Sequence, residues 1–178
     1  IAMAAAVALF LVPTNWRRFE FALDWPTAKK IPWGIIVLFG GGLSMARAMS
    51  ETGLATWIGS SVTEFSSWPV WLILGGVAFL FLFLTEVTSN VATATMAMPI
   101  MAGAATGLGI APLQLMATAA LAVSMVFMLP VATPPNAIVF ASGYVSVPQM
   151  AKAGLWFNLI SGLLVTIAAS VLVPILLR

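Results

Sequence analysis

Two short polar stretches interrupt otherwise apolar sequence, and their residue types suit the holding of small ions rather than bond chemistry. The first is Thr85-Glu86-Val87-Thr88-Ser89-Asn90; the second is Ala132-Thr133-Pro134-Pro135-Asn136. Ser89, Asn90 and Thr133 are neutral donors and acceptors. Discontinuous membrane helices in transporters turn half-helix N-termini toward anions, and unwound carbonyls and helix C-terminal ends toward Na⁺. Asn90 opens the run Val91-Ala92-Thr93-Ala94-Thr95, so the first N–H groups of that helix point back at the polar stretch, where a carboxylate would sit. The carbonyls of Thr85, Thr88 and Ala132, with the Asn90 side chain, offer an oxygen cage for a small hard cation. Ser and Asn in a lone pair more often tie membrane helices together. Two interruptions, one of them with Pro-Pro, shift the reading to a site.

Glu86 is the one acidic residue in this long apolar region, and ionisable groups at membrane depth are costly and usually functional. Two roles stay open for it: proton coupling, or a carboxylate hydrogen-bonded to helix-end donors that shapes the tip. The chain has no Cys and no His, so thiolate sites, disulfides and the commonest general base are excluded. With one such carboxylate no acid–base pair can be assembled, and the expectation is that the chain is not an enzyme. The net charge of +2, without a basic run, gives no footprint for nucleic acid. The ten Met residues lie in apolar segments and read as packing.

The elements that must carry these residues are membrane elements. The chain of 178 residues is 62% hydrophobic and 7% charged, whereas a soluble domain carries about a quarter charged residues. At about 20 apolar residues per span this supplies about five membrane-depth elements. The expected class is an all-α multi-span membrane protein in contact with lipid. Ile1–Pro13 reads as the later part of a membrane helix stopped by Pro13, without the features of a signal peptide, and the chain reads as a fragment. The segment 14–32 holds Arg17, Arg18, Lys29, Lys30, Trp16 and Trp25, as expected of an interfacial, cytoplasmic-side segment. Trp33–Met49 contains Gly40-Gly41-Gly42, which either admits a neighbouring backbone or loosens the helix. Arg47 near its end is expected to snorkel. Thr52–Phe65 fits an amphipathic interfacial helix.

Residues 1–67 are thus read as scaffold-type helices and 68–143 as a transport-type region. Within the latter, 68–105 forms a re-entrant helical hairpin tipped by Thr85–Asn90. Gly103, Gly107, Gly109 and Pro112 form the next turn. A broken transmembrane helix occupies 113–143. Pro130, Pro134 and Pro135 each remove a backbone donor, so the chain is expected to open around Ala132–Asn136, with Val123–Leu129 and Ala137–Ala141 helical. Residues 144–178 comprise a connector, Val145–Lys152, and a last span, Gly154–Leu177.

Leu84 to Thr93, together with Leu129-Pro130-Val131-Ala132-Thr133-Pro134-Pro135-Asn136-Ala137-Ile138-Val139-Phe140-Ala141-Ser142-Gly143, closely resembles the C-terminal half of the divalent anion/Na⁺ symporter family. Trp33-Gly34 and Leu38-Phe39-Gly40-Gly41-Gly42 fit the same half. The resemblance implies one of two inverted repeats, the second, from a homodimeric, elevator-type secondary transporter in the plasma (bacterial inner) membrane. It implies Na⁺-coupled symport of di- or tricarboxylates of the succinate, malate and citrate class. The alternatives are a Na⁺-independent exchanger or sulfate transporter of that family, or a non-transporting membrane half-subunit. By resemblance the substrate contacts are Ser89, Asn90, Val91, Thr133 and Pro134, and the Na⁺ ligands are Thr85, Thr88, Asn90 and Ala132. Val91 stands where the family tip carries threonine, which removes a hydroxyl. The N-terminal repeat, with the other cation site and half the substrate contacts, is not in these residues.

Overall fold

The computed structural model describes residues 2–15, 20–30 and 33–176. They fall into two compact units, Ile1–Val37 and Leu38–Arg178. In the first, α1 (Ala2–Leu11) ends ahead of Pro13, and two short strands follow, β1 (Pro13–Asn15) and β2 (Glu20–Phe21), paired antiparallel. This strand pair corrects the all-helical expectation. Pro13 cannot extend a helix, and the first residue of an edge strand tolerates its missing N–H. α2 (Trp25–Ala28) starts on Asp24, whose carboxylate accepts from the Thr27 N–H at 2.9 Å. The side chain and N–H of Thr27 hold the Asp24 carboxyl below its ordinary value. Trp16, Arg17 and Arg18 of the expected interfacial segment lie outside the described residues.

α3 (Trp33–Glu51) begins in the first unit and continues through Gly40-Gly41-Gly42 without interruption. Gly42 meets the Thr95 side chain, whereas Gly40 and Gly41 face open space, so one glycine of the three admits a neighbour. Arg47 pairs with Glu51 one turn on, at 2.7 Å and exposed. The rest of the second unit is α4 (Leu54–Ser61), a 3₁₀ turn (Thr63–Ser67), α5 (Val70–Thr85), α6 (Asn90–Leu108), α7 (Pro112–Ala122), α8 (Pro134–Ala141) and α9 (Val147–Leu176). α7 lies at the centre and packs against α5, α6 and α9, while α4 packs on α6. Leu74, Leu82, Leu115, Ala119 and Ala122 are fully buried there.

Several boundaries differ from the expectations. Gly103 and Gly107 lie inside α6, and the turn is made by Gly109 at φ 67°. They are there for packing: Gly107 rests directly on the Gly59 backbone of α4, and a Cβ on Gly103 would come within 2.9 Å of the Ala55 carbonyl oxygen. Gly107→Ala is therefore expected to cost about 1–3 kcal/mol by forcing α4 off α6. Gly76→Ala, where nothing lies within 4 Å, should stabilise slightly. Thermal unfolding of both variants in detergent checks the contrast. α9 starts at Val147, so most of the expected connector is its first two turns. Pro148 fits there because a helix start has no use for its missing N–H.

The largest departure is at the break. Val123–Leu129 is not helical, and α7 ends at Ala122. Pro134 and Pro135 do not sit in the opening; they begin α8. Their fixed φ suits a first helical turn, and that turn has no intrahelical partners for the N–H groups they lack. The non-helical segment is thus 123–133.

Among the described residues two helices are long and apolar enough to cross a bilayer, Asn90–Leu108 and Val147–Leu176. α9 buries Met150, Gly154, Asn158, Gly162, Val165 and Ala169 on one stripe, at the three- and four-residue spacing of a helix face. Its other face exposes Trp156, Ile160, Leu163 and Ile167, the surface that lipid would cover.

Candidate functional site

The segment Glu86–Ser89 links α5 to α6, and every hydroxyl near it is engaged locally. The Thr85 hydroxyl, fully buried, donates to Asn90 Oδ1 at 2.8 Å. Thr88 Oγ1 donates to the Leu84 carbonyl at 2.9 Å and lies 2.7 Å from Thr93 Oγ1. Ser89 caps α6, its Oγ accepting from the Ala92 N–H at 3.5 Å. These bonds hold the end of α5 and the start of α6 in one tight tip.

The second stretch has the same logic. Thr133 is extended (φ −144°, ψ 154°) and caps α8, its Oγ1 accepting from the Asn136 N–H at 3.4 Å. The Asn136 side chain turns back into the break, donating from Nδ2 to the carbonyls of Val126 at 3.2 Å and Leu129 at 3.1 Å. The Ala132 N–H also donates to the Leu129 carbonyl, at 3.2 Å. The carbonyls of Thr88 and Ala132 accept no hydrogen bond among the described residues.

Tip and break meet. Thr88, Ser89, Asn90 and Val91 line one wall of an open cleft of about 520 Å³, and Ala132, Thr133 and Pro134 line the other. The structure therefore brings together every sequence-expected site residue except Thr85, which is buried just behind Asn90. Two helix starts, those of α6 and α8, open on the cleft, but they are not equivalent. The first N–H groups of α6, on Asn90 and Val91, have no intrahelical partner. At α8 the first two residues are prolines and the next N–H groups are taken by Thr133. The N–H groups left without a partner among the described residues are thus on the α6 side, and the break side offers the Ala132 carbonyl.

Glu86 explains why the break is so long. It is 4% exposed. Its Oε1 accepts from the N–H groups of Phe127 and Met128, each at 3.0 Å, and its Oε2 accepts from that of Leu129 at 3.1 Å. Successive N–H groups form such an anion-holding concavity when released from a helix. Asn158 of α9, fully buried, completes the set by donating to Glu86 Oε1 at 2.6 Å and accepting from the Phe127 N–H at 3.2 Å. All these partners of Glu86 are donors, and they belong to the break and to α9 rather than to the tip, so the carboxylate anchors the 127–129 turn. Sequence reasoning missed Asn158. The available signal was an amide within a long apolar helix, at four-residue spacing between Gly154 and Gly162.

The fold and cleft are those of a helical membrane protein, with helix-start N–H groups of α6 on one wall and the Ala132 carbonyl on the other. Residues 1–177 match the family described as the sodium:sulfate symporter transmembrane region, and the chain belongs to that family. It is an integral protein of the plasma membrane. It is 46% identical over 178 residues to the sodium-dependent dicarboxylate transporter SdcS of Staphylococcus aureus strain MRSA252, covering 99% of this chain and 34% of that protein. The SdcS proteins of strains USA300 and NCTC 8325 match with the same identity and coverage. The chain thus spans about a third of the length of these curated relatives.

Proposed function

We propose that this chain forms one inverted repeat, the C-terminal one, of a secondary transporter that couples Na⁺ to the uptake of di- or tricarboxylates. The observation that carries the reading is the convergence of tip and break on one cleft, with unpaired helix-start N–H groups on one wall and a free carbonyl on the other. A substrate carboxylate would be held by Ser89, the Asn90 side chain and the N–H groups of Asn90 and Val91. Thr133 and Pro134 border it. Na⁺, as co-transported cargo, would be held by oxygens of Thr85, Thr88, Asn90 and Ala132, all hard neutral ligands. Val91 gives the cleft an apolar methyl edge beside the carboxylate.

In this reading α5 and α6 are a re-entrant hairpin, α7 and α8 are the halves of a broken helix, and the full protein is an elevator-type homodimer. The anion and cation sides share Asn90. A cation that orders this residue lowers the free energy of placing an anion against the tip, which is positive coupling. Uptake of labelled succinate by the full-length protein in liposomes should rise about tenfold or more with an inward Na⁺ gradient. Equal uptake with and without the gradient would sink Na⁺ coupling. Uptake driven instead by an internal counter-anion would identify an exchanger.

A further inference from the structure

No residue of α9 lines the cleft, yet this helix carries a fully buried amide that bonds Glu86 and the backbone of the break at Phe127. Asn158 uses both ends of that amide on two different segments: Nδ2 on Glu86, Oδ1 on the Phe127 N–H. One turn earlier Gly154 lets α9 come down on the same stretch, where a Cβ would lie 2.6 Å from Met128 Cα. Spacing of four residues places both on one helix face. The stretch they hold runs directly into the break wall of the cleft, because the Leu129 carbonyl accepts from both the Ala132 N–H and Asn136 Nδ2. On the other side Glu86 follows Thr85 in the chain. A single amide therefore ties together both halves of the oxygen set.

We propose that Asn158, acting through Glu86 and Phe127, is a positioning residue for the cation site, setting the separation between the Ala132 carbonyl and the oxygens of Thr85 and Asn90. The inference rests on the cation-site reading given above. Asn158 itself touches no cation. Groups that orient metal ligands from behind commonly change metal affinity by about 10–100-fold when removed. A buried Asn that merely joined helices would instead lower stability and leave ion affinity alone.

The two roles separate in kinetics. With the full-length protein in liposomes, Na⁺-dependent succinate uptake is measured for wild type, Asn158→Ala and Asn158→Ser. The expected result for Asn158→Ala is a half-saturating Na⁺ concentration raised about tenfold. Maximal uptake per molecule and the succinate KM at saturating Na⁺ should stay within about twofold of wild type. Asn158→Ser, whose hydroxyl reaches less far, should shift in the same direction by less. An unshifted Na⁺ dependence in Asn158→Ala would overturn the proposal. If that variant does not accumulate in the membrane, Asn158→Ser decides by the same criterion: a shift supports the proposal and wild-type behaviour overturns it. Wild-type uptake indifferent to Na⁺ would overturn the underlying reading and this one with it. A Na⁺-dependent wild type with unshifted variants overturns the positioning role alone.

Discussion

Replacement of Glu86 by Gln is expected to destabilise the protein by about 3 kcal/mol and to loosen the 127–129 turn. Three donors converge on Oε1 and one on Oε2. A glutamine can turn its carbonyl oxygen toward the three, but its amide nitrogen then faces the Leu129 N–H, donor against donor. The remaining bonds lose their charge assistance, and bonds to charged groups contribute about 1.5–3 kcal/mol in place of about 1. A buried N–H left without a partner adds about 1–3 kcal/mol. Glu86→Asp keeps the charge but is one methylene short of the turn, so it should fall between. Thermal unfolding in detergent, with hydrogen exchange at Phe127, Met128 and Leu129, checks the prediction. Wild-type protection of those amides in Glu86→Gln would show that the carboxylate is not their anchor.

Asn90→Ala should abolish Na⁺-dependent uptake while leaving the protein folded. Among the described residues the Asn90 side chain accepts one hydrogen bond, from the Thr85 hydroxyl. Its loss strands a buried hydroxyl at a cost of about 1 kcal/mol, too little to unfold a multi-helix domain. In the proposed function the same side chain serves both the anion and the cation, so its removal should act on both affinities. Uptake is the decisive measurement, with the amount of protein in the membrane and its unfolding temperature as controls. Transport at the wild-type rate would remove Asn90 from the site.

Legibility followed the range over which each feature is encoded. The polar tip was legible because Thr85–Asn90 is a local interruption of apolar sequence. The caps made by Ser89 and Thr133 were not read from it and came with the structure. The prolines were misplaced by one turn in effect: Pro-Pro reads as a break, but after a capping Thr it reads equally as a helix start. Gly103 and Gly107 resembled turn residues, and only the approach of Gly59 and Ala55 from α4 shows that they are contacts. The strand pair after α1 has no pattern of its own beyond Pro13.

What the sequence alone determined is the class. Apolar composition and two polar interruptions define a helical membrane protein, and the family match agrees with that class. Those properties are sums over residues or short patterns, so they survive without coordinates. The tertiary structure decided the extent of the break and the role of Glu86. The N–H groups of Phe127, Met128 and Leu129 leave their helical partners because a carboxylate 41 to 43 residues earlier replaces them. Asn158, 31 residues later than Phe127 and 72 later than Glu86, completes the replacement. No periodicity encodes such a meeting; it exists because α5, α7 and α9 pack on one another and bring the three segments to one point.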